Sequence, residues 1–195
     1  RANQDVRDSE SLMALTLIST HTASASATLD ITSGITSTYD SYEFHCVNMH
    51  PATDNVSFQF QVNADGQTGF NEPMTTTIIE AYHAEDDGST TLRYNVTEDQ
   101  ATTGANNGLY QTILGREVGT DDDQSVSGIL TLYDPSSTTY VKHFTSVGNV
   151  MHYADFTLNQ FDAGYINTTA AIDEISFKMS SGNIDDGTIK MFGVS

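Results

Sequence analysis

Ile172-Asp173-Glu174-Ile175-Ser176-Phe177-Lys178-Met179, then Ser181-Gly182-Asn183 and Asp185-Asp186-Gly187, then Thr188-Ile189-Lys190-Met191-Phe192-Gly193-Val194: the fold is read from this ending. Apolar side chains return with the period of two that marks a half-buried strand. Between the two runs lie Gly, Asn and Asp, the residues that tolerate tight-turn geometry. The expectation is a closing hairpin across residues 171–195. Its last strand would be tied into a sheet, which holds a terminus in a β domain.

Working back from that end, the same pattern recurs at short, regular intervals. Candidate strands cover residues 12–20, 25–31, 42–50, 56–63, 75–83 and 90–96, then 109–114, 126–133, 139–147 and 151–158. Such spacing points to an all-β antiparallel sandwich, jelly-roll-like in type. Alternation is cleanest at Val56, Phe58, Phe60 and Val62, with Ser57, Gln59 and Gln61 on the wet side. Tyr42 and Phe44 read as core. Val47 and Met49 fall on the His45 face, which would then be covered as well, by a second sheet or a neighbouring subunit. Asp65-Gly66, Asp87-Gly88, Asn107-Gly108 and Asp186-Gly187 mark turns. Residues 98–107 and 115–124 are polar or Gly-rich and read as long mobile loops, the usual place for binding on a rigid sandwich.

The chain of 195 residues suits one β domain over residues 12–195, preceded by a polar arm over residues 1–11. No apolar run reaches the ~18 residues of a membrane span, and no basic head precedes an apolar core as in a signal peptide, so a soluble protein is expected. Charge is a strong bound: 26 acidic residues stand against seven Lys and Arg, a net charge of -19. Phosphate binding depends on neutralisation by Lys and Arg, so nucleic acid is not an expected partner. A basic surface would suit better. The acidity also serves solubility by itself.

Few residues form a reactive pattern. Cys46 is the single cysteine, which precludes an intrachain disulfide. On the Tyr42/Phe44 face it should behave as a small buried hydrophobe. Asp121-Asp122-Asp123 and Glu85-Asp86-Asp87 offer hard oxygen ligands, and residues 63–66 resemble a fragment of a calcium loop without its closing Glu. No motif calls for a cofactor; calcium at Asp121, Asp122 and Asp123 is the one ion these groups would suit. His21, His45, His50, His83, His143 and His152 show no zinc-motif spacing. There is no Gly-x-Ser-x-Gly elbow, nothing selects a pair of carboxylates for glycoside hydrolysis, and no Trp supplies a sugar platform, although nine Tyr could substitute. The expected class is non-enzymatic. Sequons at Asn55, Asn95 and Asn167 are unremarkable in so Ser/Thr-rich a chain.

Residues 23–31, 37–44, 51–54, 127–133 and 180–194 resemble segments of small β-rich virion proteins of tailed bacteriophages, common in marine and alphaproteobacterial phage. The likeness runs over most of residues 12–195 and marks where a sandwich turns and closes. It implies a capsid decoration or tail-fibre protein on the virion surface. Its partners would be major capsid or tail proteins and copies of itself, with a trimer favoured and no membrane involved. The His45/Val47/Met49 face or the Ile78/Ile79 region would supply the shared contact. Arg1, Val6 and Arg7 would dock the arm, while the loops at 98–107 and 121–123 face outward. A receptor- or glycan-binding adhesin, calcium-assisted, is the alternative.

Overall fold

The computed structural model describes residues 15–195, which run as twelve strands with no helix among them. They are β1 (Leu15–Thr22), β2 (Leu29–Ile31), β3 (Ser41–Pro51), β4 (Phe58–Ala64), β5 (Met74–Ala84) and β6 (Thr90–Tyr94), followed by β7 (Gln111–Thr112), β8 (Val126–Tyr133), β9 (Lys142–His152), β10 (Phe156–Ile166), β11 (Ile172–Met179) and β12 (Ile184–Val194). An eight-stranded sheet has the order β1-β12-β3-β8-β9-β10-β5-β6, and a four-stranded sheet the order β2-β11-β4-β7. Every pairing is antiparallel, as the period-two pattern predicts. The sheets meet over a shared aromatic core. Phe177 stacks on Phe58 at 5.8 Å between ring centroids and lies tilted against Phe44 at 5.7 Å, while Phe60 meets Phe144 edge-on at 4.9 Å. Offset and edge-on pairs of this kind add to the burial of apolar area.

The ending is not a hairpin. β11 pairs with β2 and β4 in the small sheet, whereas β12 pairs with β1 and β3 in the large one, so residues 180–183 arch across the sandwich. Period two is the same in either sheet, which is why the local pattern could not separate an arch from a hairpin. Asp186-Gly187 lies inside β12, where the register shifts at a bulge, and a Cβ on Gly187 would stand 2.8 Å from the Asn48 carbonyl oxygen. A second bulge lies in β3 between Cys46 and Met49, with Asn48 at φ 51°. It turns Met49 into the core and leaves Val47 exposed, so the expected His45/Val47/Met49 face loses its methionine. An added residue in one strand reverses the inward and outward alternation beyond it.

The expected loop at residues 115–124 is not mobile at its start. Residues 113–118 form a buried strap alongside β4, with the Ile113 N–H donating to the Phe58 carbonyl and the Val118 N–H to the Val56 carbonyl. At its far end the Tyr153 N–H donates to the Glu117 carbonyl, which fastens the strap to the large sheet. Gly128 and Gly148 are directly paired beneath it, and a Cβ at Gly148 would collide with the Leu114 carbonyl oxygen. The two glycines are the slot that lets Leu114 lie against the sheet.

Candidate interaction surface

At their middles strands β9, β10 and β5 turn polar residues inward and apolar ones outward, between ordinary core positions such as Phe144, Leu158 and Ile78. On β10, Phe161 is 49% exposed and its neighbour Asp162 only 3%. On β5, Ile79 is 47% exposed while Glu80 is fully buried, and on β9 Val147 faces out where Ser146 faces in. The register aligns these choices, because Ser146 pairs with Asp162, Gln160 with Glu80, Val147 with Phe161, and Phe161 with Ile79. One polar layer therefore lies beneath one apolar row.

The buried layer finds its partners within the fold, except for Gln160 Oε1, which has none. Glu80 accepts hydrogen bonds from the Nε of Arg93, the Nε of Arg116 at 2.9 Å and the Nδ2 of Asn95 at 3.3 Å. Burial pushes the Glu80 carboxyl up, but the two guanidinium groups outweigh it and hold the group below its ordinary range. Arg116 also pairs with Glu117, which accepts from the Nε2 of His152 at 2.7 Å. The Ala154 N–H donates to Nδ1 of the same ring, so His152 is the neutral Nε2–H tautomer, and burial lowers its pKa despite Glu117. Beside this network, Asp162 Oδ2 accepts from the Leu114 N–H at 3.1 Å and from the Ser146 hydroxyl, and Oδ1 accepts from Gln160 at 2.7 Å. Burial still pushes its carboxyl up to about 7. Arg116, Glu117 and the Leu114 amide all come from the strap, so these polar groups hold the strap to the sheet.

The outer side is the reverse case. Cross-strand register builds a continuous row from Lys190 through His45, Ile129, Val147, Phe161 and Ile79 to Tyr94, on seven adjacent strands. Its last five members are apolar or aromatic and 39–49% exposed. The flanking rows are neutral: Thr131, Thr145, Ala163 and Thr77 on one side, Ser127, Asn149, Asn159 and Ala81 on the other. At the sheet edge Leu92 is 75% exposed. Glu43 is the one carboxylate on these rows, with His45 Nε2 2.7 Å from it, and at the far end Asp99 Oδ2 accepts from the Tyr94 hydroxyl. In a chain with 26 acidic residues, so wide a face with carboxylates only at its margins separates charge from the rest of the surface. Apolar stripes of this breadth on a polar surround mark contact sites.

The other expected sites are placed as follows. Arg1, Val6 and Arg7 lie outside the described residues. Asp122 and Asp123 line an open cleft of about 480 Å³ with Asp185 and Asp186 from the bulged start of β12, and with His50, whose Nδ1 lies 2.7 Å from the Gln124 carbonyl. Asp121 is not in that lining; its N–H donates to the Gln124 side chain. Among the described residues no three His, Cys, Asp or Glu side chains converge in a metal-binding arrangement. Cys46 is buried and its thiol pushed strongly up by burial, as a structural thiol would be. Residues 97–110 fold over β7 around a small polar pocket of about 140 Å³, lined among others by Gln59, Glu98, Gln100 and Tyr110.

Of the outer row, sequence reading singled out only Ile79 and the region of His45. Gln160-Phe161-Asp162 held the missing signal: an aromatic flanked by two polar residues on a strand must send either the ring or the polar pair outward. Without the partner strands that choice is open, because alternation fixes relative faces but not which face is core. No protein-family model, curated protein or solved structure matches this chain.

Proposed function

We propose that this chain is a non-enzymatic contact module, a virion structural protein displayed on the particle surface, of the capsid-decoration or tail-fibre type that its resemblance to phage proteins implies. The observation that supports a contact role is the apolar row Ile129–Val147–Phe161–Ile79–Tyr94 on a face almost cleared of carboxylates. The polar residues that could have covered those strands are spent inside the sandwich, on the Glu80 and Asp162 networks. Such a division leaves apolar area to be buried by another body. Mass spectrometry of purified virions of the encoding phage tests the assignment directly. Stoichiometric presence of the chain supports it, and absence from intact particles contradicts it.

A second reading, a glycan- or receptor-binding adhesin, is favoured by the pocket under residues 97–110. Gln100 is buried there with its Oε1 atom lacking a partner, and Gln59, Glu98 and Tyr110 share the lining. Amide, carboxylate and aromatic groups together suit a polyhydroxylated ligand. Calcium would enter at the Asp122/Asp123 cleft. Selective binding on a glycan array, lost with a chelator, would favour this reading over the first.

A further inference from the structure

We infer that the outer face of the eight-stranded sheet is a two-fold, face-to-face interface between two copies of this chain. The inference rests on the contact role proposed above and names the partner that the face takes.

Charge selects the occupant. With a net charge of -19, two copies approaching through most other surfaces would oppose carboxylates to carboxylates. A cationic partner would have no need of a face from which acids have been cleared, because the acidic surface elsewhere would attract it. An acidic partner does need one, and the acidic partner always present at matching concentration is a second copy. The two carboxylates at the margins of the face are already engaged, Glu43 by His45 and Asp99 by the Tyr94 hydroxyl.

Size and symmetry agree with this. The five strands that carry the apolar row, β8 to β6 in the sheet order, span about 24 Å by about 30 Å, or on the order of 700 Å², taking usual strand spacing and rise. Standard stable interfaces take ~600–1,000 Å² from each partner. Phe161 lies at the centre of the apolar row, with Val147 and Ile129 on one side and Ile79 and Tyr94 on the other. A two-fold axis in the plane of contact through Phe161 lays the row of one copy on the row of the other. Two sheets can then pack as they do in any sandwich, ~10 Å apart. The arrangement is an isologous dimer, in place of the trimer that the resemblance implies.

Sedimentation of the full chain, of Phe161→Glu and of Tyr140→Glu is the test. Tyr140 is 70% exposed but lies outside the rows, so it controls for adding a charge to an exposed aromatic. The wild type and Tyr140→Glu should sediment at twice the 21.2 kDa chain mass. Phe161→Glu should sediment at the chain mass, its circular dichroism unchanged, with its dimer dissociation constant raised at least a hundredfold. A wild type that stays monomeric at high micromolar concentration, a trimer, or a dimer indifferent to Phe161→Glu would overturn the inference. Co-sedimentation with virions separates the two levels. A monomeric chain whose particle binding is lost in Phe161→Glu sinks the second-copy inference and leaves the contact role standing. Particle binding and mass both indifferent to the substitution would sink both.

Discussion

The two halves of the large sheet solve the same packing problem in opposite ways. Along β12, β3 and β8 the inner positions are Ile189, Met191, Tyr42, Phe44, Leu130 and Leu132, all buried, and the outer ones include Lys190, Glu43, His45 and Thr131. Along β9, β10 and β5 the inner positions include Ser146, Asp162, Gln160 and Glu80, and the outer ones Val147, Phe161 and Ile79. The first half is an ordinary sandwich wall. The second is inverted at its middle, between core positions such as Phe144, Leu158 and Ile78, and inversion has a condition on each side. Inside, each charge must find a fixed partner, since an unpaired buried charge is strongly unfavourable. Outside, the apolar row keeps its surface in water until something covers it.

The sharpest way to break the comparison is at its inner condition. Glu80→Ala leaves the guanidinium of Arg116, 10% exposed, without its buried carboxylate. The loss should be ~3–5 kcal/mol in urea unfolding, as for other broken buried pairs. A loss under ~1 kcal/mol would mean that the polar layer is wet and contributes little to holding the strap.

Next in size is the pH behaviour of Asp162. Its folded carboxyl titrates at about 7 against ~3.9 in an unfolded chain, so between those values the native state holds the extra proton. The stability tied to that proton is complete below the unfolded value and is lost as pH rises through about 7. Asp162→Asn removes the titration. Its oxygen can accept from Leu114 and Ser146, and a half-turn of the Gln160 amide presents to the new NH2 the Oε1 atom that now lacks a partner. Relative to wild type, Asp162→Asn should gain ~2–4 kcal/mol in stability between pH 4.5 and pH 8. A pH-independent difference between the two proteins would contradict the buried placement.

A smaller effect sharpens the role of the strap. Gly148→Ala sets a methyl against the Leu114 carbonyl and should cost ~1–3 kcal/mol by overpacking. If the strap gives way easily the cost will be near zero, and the polar network with it will be looser than the hydrogen bonds imply.

How far the sequence spoke for itself follows the same division. β8 begins and ends where alternation puts it, at Val126 and Tyr133, because Val126, Leu130 and Leu132 keep period two toward the core even though Ile129 and Tyr133 face outward. The boundary between β9 and β10 was missed: residues 139–147 and 151–158 read as two strands broken near Gly148-Asn149, whereas those residues lie mid-strand opposite Gly128 and Ser127. The true turn, at residues 153–155 with Asp155 at φ 58°, lacks Gly and Pro. A glycine that serves close packing is indistinguishable in one sequence from a glycine that serves a turn. Glu80 and Asp162 were invisible for a related reason. Gln160 is a local partner of Asp162, two residues away on β10, but Arg93, Arg116 and Ser146 come from other strands and the strap, so no local spacing records the rest of the network.

The proposed second copy would cover the apolar row of the inverted half. Photo-oxidative footprinting across a dilution series measures this directly, with side-chain labelling read at Phe161 and Tyr94 on the row and at Tyr140 off it. The prediction is that Phe161 and Tyr94 become protected together over the concentration range in which the mass doubles, while Tyr140 labels equally throughout. Labelling of Phe161 that does not change with concentration would contradict it.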